Sequence, residues 1–418
     1  MVGSRRKIDR ARFEPPSAGT GASAAPPPRP LRVAVLHNLK SNAPSNGHRP
    51  LDALEELDTE TNVEAYCRAL SSCGYEVVPL DGNLDLPRQL RRHRIDICFN
   101  TCEGYRGDSR EAQVPALLEM LGMPYTGGRI QCLAITLDKA ATKRILLAAG
   151  MSTPAFQEFT HADLPLNPSL RWPLFVKPAR EGTGMGIDGR SLVENEGQLR
   201  ARVAYLLQAY EERVLVEEYV PGADVTCGLT GNLKEFWQGH PTPSFRDRPR
   251  TAGGGLDWGG VHVFPVSQID HGHLSGMDPF YSHALKALPL SEFPYLCPAP
   301  LAEELSAEIM RLTVETFRLT GCLDFARVDF RLDERQGNQP QVIEINALPG
   351  LGPISDLVLC AQAEGWAYAE LLNTILKASL RRQGLTDRSG ASAEAKTSSG
   401  QDPSASSRVT HGVGPPGA

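Results

Sequence analysis

Two periodicities alternate along this chain, and the switches between them mark out its elements. Leu31 to His37 is a near-continuous apolar run, the pattern of a strand covered on both faces. A polar loop with Pro44, Gly47 and Pro50 follows. From Asp58 to Gly74, Val63, Tyr66, Ala69 and Leu70 recur at helical spacing, and Gly74 is the stop signal. Tyr75 to Leu80 predicts a second strand, Leu86 to Arg94 a helix, and Ile95 to Asn100 a third strand. Strand, helix, strand, helix, strand in sequence predicts a parallel sheet with helices on both faces. Arg110 to Gly122 predicts one more helix.

A second unit starts near Arg129. It holds a predicted helix from Thr136 to Ala149, a strand from Pro173 to Ala179, a Gly-rich loop from Glu181 to Gly186, and a helix from Glu196 to Ala209. A third begins with the strand Arg213 to Val220 and runs through a long irregular stretch from Gln238 to Leu301. The helix Ala302 to Thr320, two strands within 326–333 and 341–350, and a helix after Trp366 complete it. Residues 1–30 are rich in Pro, Ala, Gly and Arg, and 383–418 in Ser, Gly and Pro. Neither tail has enough apolar surface to offset its ordering entropy, so both are expected to be disordered. The predicted units are thus 31–128, 129–210 and 211–382, with no internal repeat.

Composition narrows the function classes. Hydrophobic residues make up 41% and charged residues 22% of the 418, an ordinary globular balance. The net charge of −6 gives no global reason to expect nucleic acid or an anionic membrane as partner. The basic run Arg91, Arg92, His93, Arg94 closes a predicted helix and reads as a solvated helix end. Nine cysteines show no C-x-x-C pair; Cys98 and Cys102 come nearest, with no histidine or second pair to complete a zinc site. Reduced thiols in a cytoplasmic protein are the expectation. No apolar run spans a bilayer, and the N-terminus lacks an apolar signal core.

The chemistry concentrates in the last strand pair. Alternation puts Arg327 and Asp329 on one face of the first strand, with Val328 and Phe330 on the other. In the second, Glu344 and Asn346 share a face, with Ile343 and Ile345 opposite. Paired, the strands would present two carboxylates, an amide oxygen and a guanidinium together, hard ligands of the kind magnesium takes alongside phosphate oxygens. A solvated sheet face is the alternative.

Upstream, Lys139 follows Asp138 on a helix, and Lys177 sits in an apolar strand, where an ammonium needs an anion. Gly182, Gly184 and Gly186 follow at once, a loop whose N–H groups can approach phosphates, and Thr183 adds a hydroxyl. The next strand carries the adjacent acids Glu217 and Glu218, then Asp224, acceptors suited to an adenine amine and ribose hydroxyls.

In this order, LLEMLGMPYTG, LDKAATK, VKPAREGTGMG, LVEEYVPGADV, ARVDF and EINALPG resemble the ATP-grasp superfamily, and within it D-alanine–D-alanine ligases, over roughly Leu31 to Leu380. The resemblance implies an α/β (α+β) fold: an N-terminal parallel-sheet, pre-ATP-grasp domain followed by the two α+β subdomains of an ATP grasp. It implies that Lys139 and Lys177 bind ATP phosphates, that Glu217, Glu218 and the Val220 backbone meet adenine, and that Asp224 meets the ribose. Asp329, Glu344 and Asn346 would coordinate magnesium, with manganese as the alternative ion. Arg327 and the Gly350 backbone would stabilise charge on the attacked carbonyl, Ser355 would bind the second substrate's carboxylate, and Lys286 would reach phosphate from a closing loop. The implied reaction forms an acyl phosphate from ATP and a carboxylate, which an amine then attacks, as in peptidoglycan precursor synthesis. Amino acids or peptides would be the substrates, and a homodimer through the N-terminal domain fits the family.

The substrate half departs from the family pattern. The glutamate that anchors the first D-alanine has no clear counterpart; Glu55, Glu56, Asp58 and Glu60 are candidates, and a solvated helix face is the alternative. Glu103 stands where a histidine is usual, and could contact a cationic amine or guanidinium on a larger substrate or be a solvated loop acid. Ala287 follows Lys286 where tyrosine is typical. Three readings remain open: D-alanine–D-alanine ligase, a related carboxylate–amine ligase with other substrates, or a nucleotide-binding regulator without turnover. Intact Arg327 and a full magnesium set argue against the last. His271 and His273 flank Gly272 and read as an exposed turn.

Overall fold

The computed structural model describes residues 29–44, 50, 52–234, 240–269, 280 and 295–387. Both tails beyond these bounds, and Lys286, Ala287, His271 and His273, lie outside the described residues.

The N-terminal sheet is parallel, with β1 (Arg32–His37) between β2 (Glu76–Asp81) and β3 (Ile97–Asn100). The continuous apolar run of β1 is explained by two separate cores. Val33 and Val35 face α1 (Glu60–Ser72), through Val63, Tyr66 and Leu70. Ala34 and Leu36 face α2 (Leu86–His93) and α3 (Gln113–Met120), through Leu86, Leu90, Val114 and Leu118. The basic run does end α2, with Arg94 left-handed at its C-cap.

The next unit begins with α4 (Ile130–Leu137) and α5 (Lys139–Ala148). The sequence predicts a single helix from Thr136 to Ala149, and the structure corrects this. Asp138 leaves helical geometry (φ −87°, ψ 98°), and its carboxylate accepts the Ala141 N–H at 2.9 Å as the N-cap of α5. A cap inside a continuous helical pattern leaves the periodicity intact, so the break does not show in spacing.

An antiparallel sheet follows, in the order β4 (Phe156–Phe159), β7 (Val214–Glu218), β5 (Leu174–Pro178), β6 (Leu192–Val193). Helix α6 (Glu196–Tyr210) covers its back through Leu199, Val203 and Leu206. The front carries Phe175, Lys177, Leu215 and Glu217, two residues apart on each of the two central strands.

The last sheet is built on β8 (Asp224–Gly231), flanked by β11 (Ser267–Ile269), β10 (Val261–Val263) and β13 (Asp324–Asp333). Strands β9 (Leu256–Trp258), β12 (Tyr295–Leu296) and β14 (Gln339–Asn346) complete it. Four of these strands fall inside the stretch 238–301 that the sequence marks as irregular. They are two or three residues long, too short to establish an alternation. Behind the sheet pack α7 (Glu303–Thr320), α8 (Asp356–Ala363) and α9 (Tyr368–Arg382), and one apolar core runs from here into the α1 face of the N-terminal sheet. No helix among the described residues is long and apolar enough to cross a membrane.

Candidate active site

A cleft with two lobes opens where the three units meet. One lobe, of about 120 Å³, lies between the antiparallel sheet and the β8 sheet. The other, of about 330 Å³, lies toward the N-terminal unit. Lys139, Gly182, Arg327 and Glu344 line both, so these four residues form the junction.

The expected strand pair is present. In β13 and β14, Arg327 stands opposite Asn346 and Asp329 opposite Glu344, while Val328 is fully buried behind and the buried Phe330 borders the smaller lobe. The Arg327 guanidinium donates to both Asp329 oxygens at 3.0 and 2.8 Å and reaches Asp356 at 3.2 Å. Thr226 and the Asn346 amide nitrogen also donate to Asp329, at 2.7 and 3.0 Å, which leaves the Asn346 oxygen on the free side of its amide. One expectation is corrected. The ladder slips between Asp329 and Phe330, which face Glu344 and Val342, so Ile343 is an extra residue. A bulge of this kind breaks the alternation. Ile343 therefore lines the smaller lobe beside Glu344, instead of facing away from it.

Each lysine already has an anion. Lys177 Nζ lies 2.6 Å from Glu217, and the wholly buried Lys143 lies 2.9 Å from the same carboxylate. Burial raises the Glu217 pKa and the two lysines outweigh it, so the net shift is downward. Lys143, pulled down by burial despite Glu217, titrates at about 8. Lys139 stands at the first position of α5, where its N–H bonds Ala179 O, its ammonium donates to Glu181 O at 2.5 Å, and Glu344 lies 3.3 Å away.

The acids of β7 divide their roles. Glu217 faces the lysines, whereas Glu218 takes a forked contact from Arg171 at 2.8–3.2 Å. The Val220 carbonyl accepts from Arg331 at 2.7 Å, and Arg331 also pairs with Asp224 at 2.9 Å. All four acceptors line the smaller lobe, whose walls are Phe175, Tyr219, Ile269, Phe330 and Ile343.

The Gly-rich loop is held by carboxylates from the N-terminal unit. Asp52 accepts the Gly186 N–H at 2.8 Å, and Glu56 accepts that of Gly182. Thr183, left-handed at φ 51°, is exposed on the larger lobe. Gly350 and Ser355 line that lobe together, with Ser355 at the N-cap of α8. Glu103 lines it as well, alongside Glu55, Glu56 and Glu111. Of the anchoring candidates named from the sequence, Glu55 pairs with Lys40 and Glu56 with Arg110, Asp58 is buried against Tyr66 and Thr101, and Glu60 bonds Ser41.

Sequence reasoning missed several lining residues: Glu111, Arg180, Thr226, Ile343 and Asp356. For Glu111 a signal exists, because in the helix predicted from Arg110 to Gly122 it stands three and seven residues before the buried Val114 and Leu118, on the apolar stripe, although the structure places it in a 3-10 turn (Arg110–Ala112) just ahead of α3. An acid on that stripe needs a reason.

Two α+β sheets closing on a cleft, one bringing lysines and a glycine loop and the other carboxylates, over a parallel N-terminal sheet, define the ATP-grasp fold. The family model for the C-terminal part of D-alanine–D-alanine ligases matches residues 145–240 and 258–377. A D-alanine–D-alanine ligase of Syntrophotalea carbinolica is 32% identical over 79% of this chain and 94% of its own length. The uncharacterized protein y4sG of Sinorhizobium fredii is also 32% identical, over 75% and 86%. The crystal structure of a Bacillus anthracis D-alanine–D-alanine ligase complexed with ATP shares the fold, at a TM-score of 0.60 and 22% identity over 85% of this chain and 99% of that one. The chain belongs to the D-alanine–D-alanine ligase family.

Proposed function

We propose that this protein is an ATP- and magnesium-dependent ligase that joins a carboxylate to an amine through an acyl phosphate. The observation that carries the reading is the junction itself, where Arg327, Lys139 and the oxygens of Asp329, Glu344 and Asn346 converge between the two lobes.

Two carboxylates and an amide oxygen, half-buried on one sheet face, match the hard donors that magnesium takes beside phosphate oxygens. Among the described residues no group of three or more His, Cys, Asp and Glu side chains is placed to hold a metal ion by itself, so a closed protein-only cage is not what this set resembles. Bound there, magnesium or manganese would offset charge on the transferring phosphoryl group. ATP fits the smaller lobe, with adenine between Phe175 and Ile343, ribose at Asp224, and phosphates toward Lys177, Lys139 and the glycine loop. In the larger lobe Arg327 and the Gly350 N–H face the carbonyl as it gains charge on amine attack. Ser355 supplies a hydroxyl and the α8 N-terminus for the second substrate's carboxylate. Thr183, on the loop over the junction, and Lys286, outside the described residues, belong to the closing side in this reading.

D-alanine is the first substrate to try, with peptidoglycan synthesis as the setting, a cytoplasmic location and an N-terminal homodimer. A second reading, a ligase for other amino acids or peptides, is favoured by Glu103, which replaces the usual histidine inside the larger lobe. Phosphate release from Mg-ATP, measured with D-alanine and then with a panel of amino acids and dipeptides, tests both. Release with D-alanine supports the first and release only with another substrate the second. No release across the panel would leave a nucleotide-binding regulator.

A further inference from the structure

The larger lobe has more negative charge than its own cations absorb. Arg110, beside it, is taken by Glu56 at 2.5 Å and Glu181 at 3.1 Å. Arg180 is taken by Asp108 and Asp138, both at 3.2 Å, and Arg327 by Asp329 and Asp356. Lys139 belongs to Glu344. Glu103 and Glu111 remain, and among the described residues neither carboxylate has a hydrogen bond or an ion pair. Glu111 is only 9% exposed and borders the cavity. An unpartnered carboxylate buried to that degree is costly unless something with the opposite charge, or a proton, meets it.

Their juxtaposition is built into the backbone. Gly104 is left-handed at φ 75°, and a Cβ there would stand 2.5 Å from the Arg110 carbonyl oxygen. Only glycine lets the loop after β3 close onto the turn that carries Glu111, and this closure brings Glu103 to it. Burial pushes both carboxyls upward, aided by repulsion from Glu111 on Glu103 and from Glu56 on Glu111, which rises to about 8.

Resting on the ligase reading, we propose that Glu103 and Glu111 are specificity-determining residues that bind a cationic nitrogen of the amino-acid or peptide substrate. The nitrogen is an ammonium or guanidinium, carried on a basic side chain or at the α-position. Its entry would let both carboxyls ionise, whereas a neutral isostere would leave them unmatched. Discrimination of this kind is steep because it punishes the wrong ligand with a desolvated, unpaired charge.

The experiment uses the full chain with Mg-ATP and compares wild type, E111Q and E103Q. Phosphate release is measured with lysine against norleucine, arginine against citrulline, and D-alanine against D-lactate, and thermal stabilisation by each ligand is read without turnover. The expected result is that the cationic member of at least one pair has a KM tenfold or more below its neutral partner. Each Gln variant should erase most of that preference, with the KM for ATP unchanged. Preference within the lysine or arginine pair assigns the side-chain nitrogen, and preference only within the D-alanine pair assigns the α-ammonium. Equal KM values within every pair, or a preference that survives both variants, would overturn the proposal while phosphate release keeps the ligase reading. Conversely, stabilisation by lysine or arginine that E111Q abolishes, without phosphate release by any substrate, would keep the cation site and remove the ligase.

Discussion

The two lobes of the cleft are lined by similar numbers of charges but solve the problem of burial in opposite ways. In the nucleotide lobe every carboxylate has a nearby cation: Glu217 has two lysines, Glu218 has Arg171 and Asp224 has Arg331. In the proposed substrate lobe Glu103 and Glu111 form no ion pair among the described residues, since the neighbouring Arg110 is held by Glu56 and Glu181 and Lys139 by Glu344. The first lobe is electrostatically complete before any ligand arrives and depends on shape and apolar walls. The second is incomplete and depends on what enters.

The comparison breaks most sharply at the junction. Glu344→Ala removes a residue both lobes share, and turnover is expected to fall by at least about 1000-fold, the equivalent of several kcal/mol of lost phosphoryl stabilisation. Retained phosphate release would sink the assignment of Glu344 to the metal. Lys177→Ala acts on the nucleotide lobe alone. It strips Glu217 of one of two partners, so a KM for ATP raised about 100-fold is expected, with about 3 kcal/mol lost in stability. An unchanged ATP KM would show that the strand lysine serves only Glu217.

Gly104→Ala is the converse, a lesion of the substrate lobe. The left-handed backbone and the clash with the Arg110 carbonyl should cost about 2–4 kcal/mol in denaturant unfolding. Amino-substrate KM should rise while ATP binding, read by calorimetry, survives. Simultaneous loss of ATP binding would show that the lobes do not respond separately.

The last effect is a slope. With Glu111 at about 8 in the fold against 4.5 as its ordinary value, the folded protein holds a proton across that interval which the unfolded chain has released. Its contribution is full below pH 4.5 and is lost as pH rises through 8, by up to about 1.4 kcal/mol per pH unit. Glu111→Gln should therefore flatten the fall of the ligand-free melting temperature between pH 5 and 8. An identical slope in the variant would place the ionisation elsewhere.

The same contrast explains what the sequence discloses. The nucleotide side is written in local patterns: an alternating strand carrying Arg327 and Asp329, another carrying Glu344 and Asn346, and Lys177 running straight into three glycines. Their pairing follows from chain order and alternation. The bulge at Ile343 is invisible because an extra residue shifts the faces without altering residue type. The capped break at Asp138 hides inside a sustained helical period. The substrate side is assembled from loops and segments distant in sequence, Glu55 and Glu56, Glu103, Glu111 and Ser355, whose convergence is tertiary. Glu111 alone advertised itself, as an acid on an apolar stripe. Strands as short as β10 and β11 pair because β8 gives them a template, and β9 and β12 add on to those two, not because their own residues alternate.

Glu217, clamped at 2.9 and 2.6 Å between Lys143 and Lys177, gives the nucleotide lobe an internal counter-ion. To an arriving polyphosphate the trio presents one net positive charge where two lysines alone would present two. Attraction at a distance is correspondingly weaker, and less of it is there for dissolved ions to screen. ATP binding by this protein should therefore tolerate added salt better than a count of its lysines implies, with selectivity for nucleotide resting on close fit more than on long-range pull.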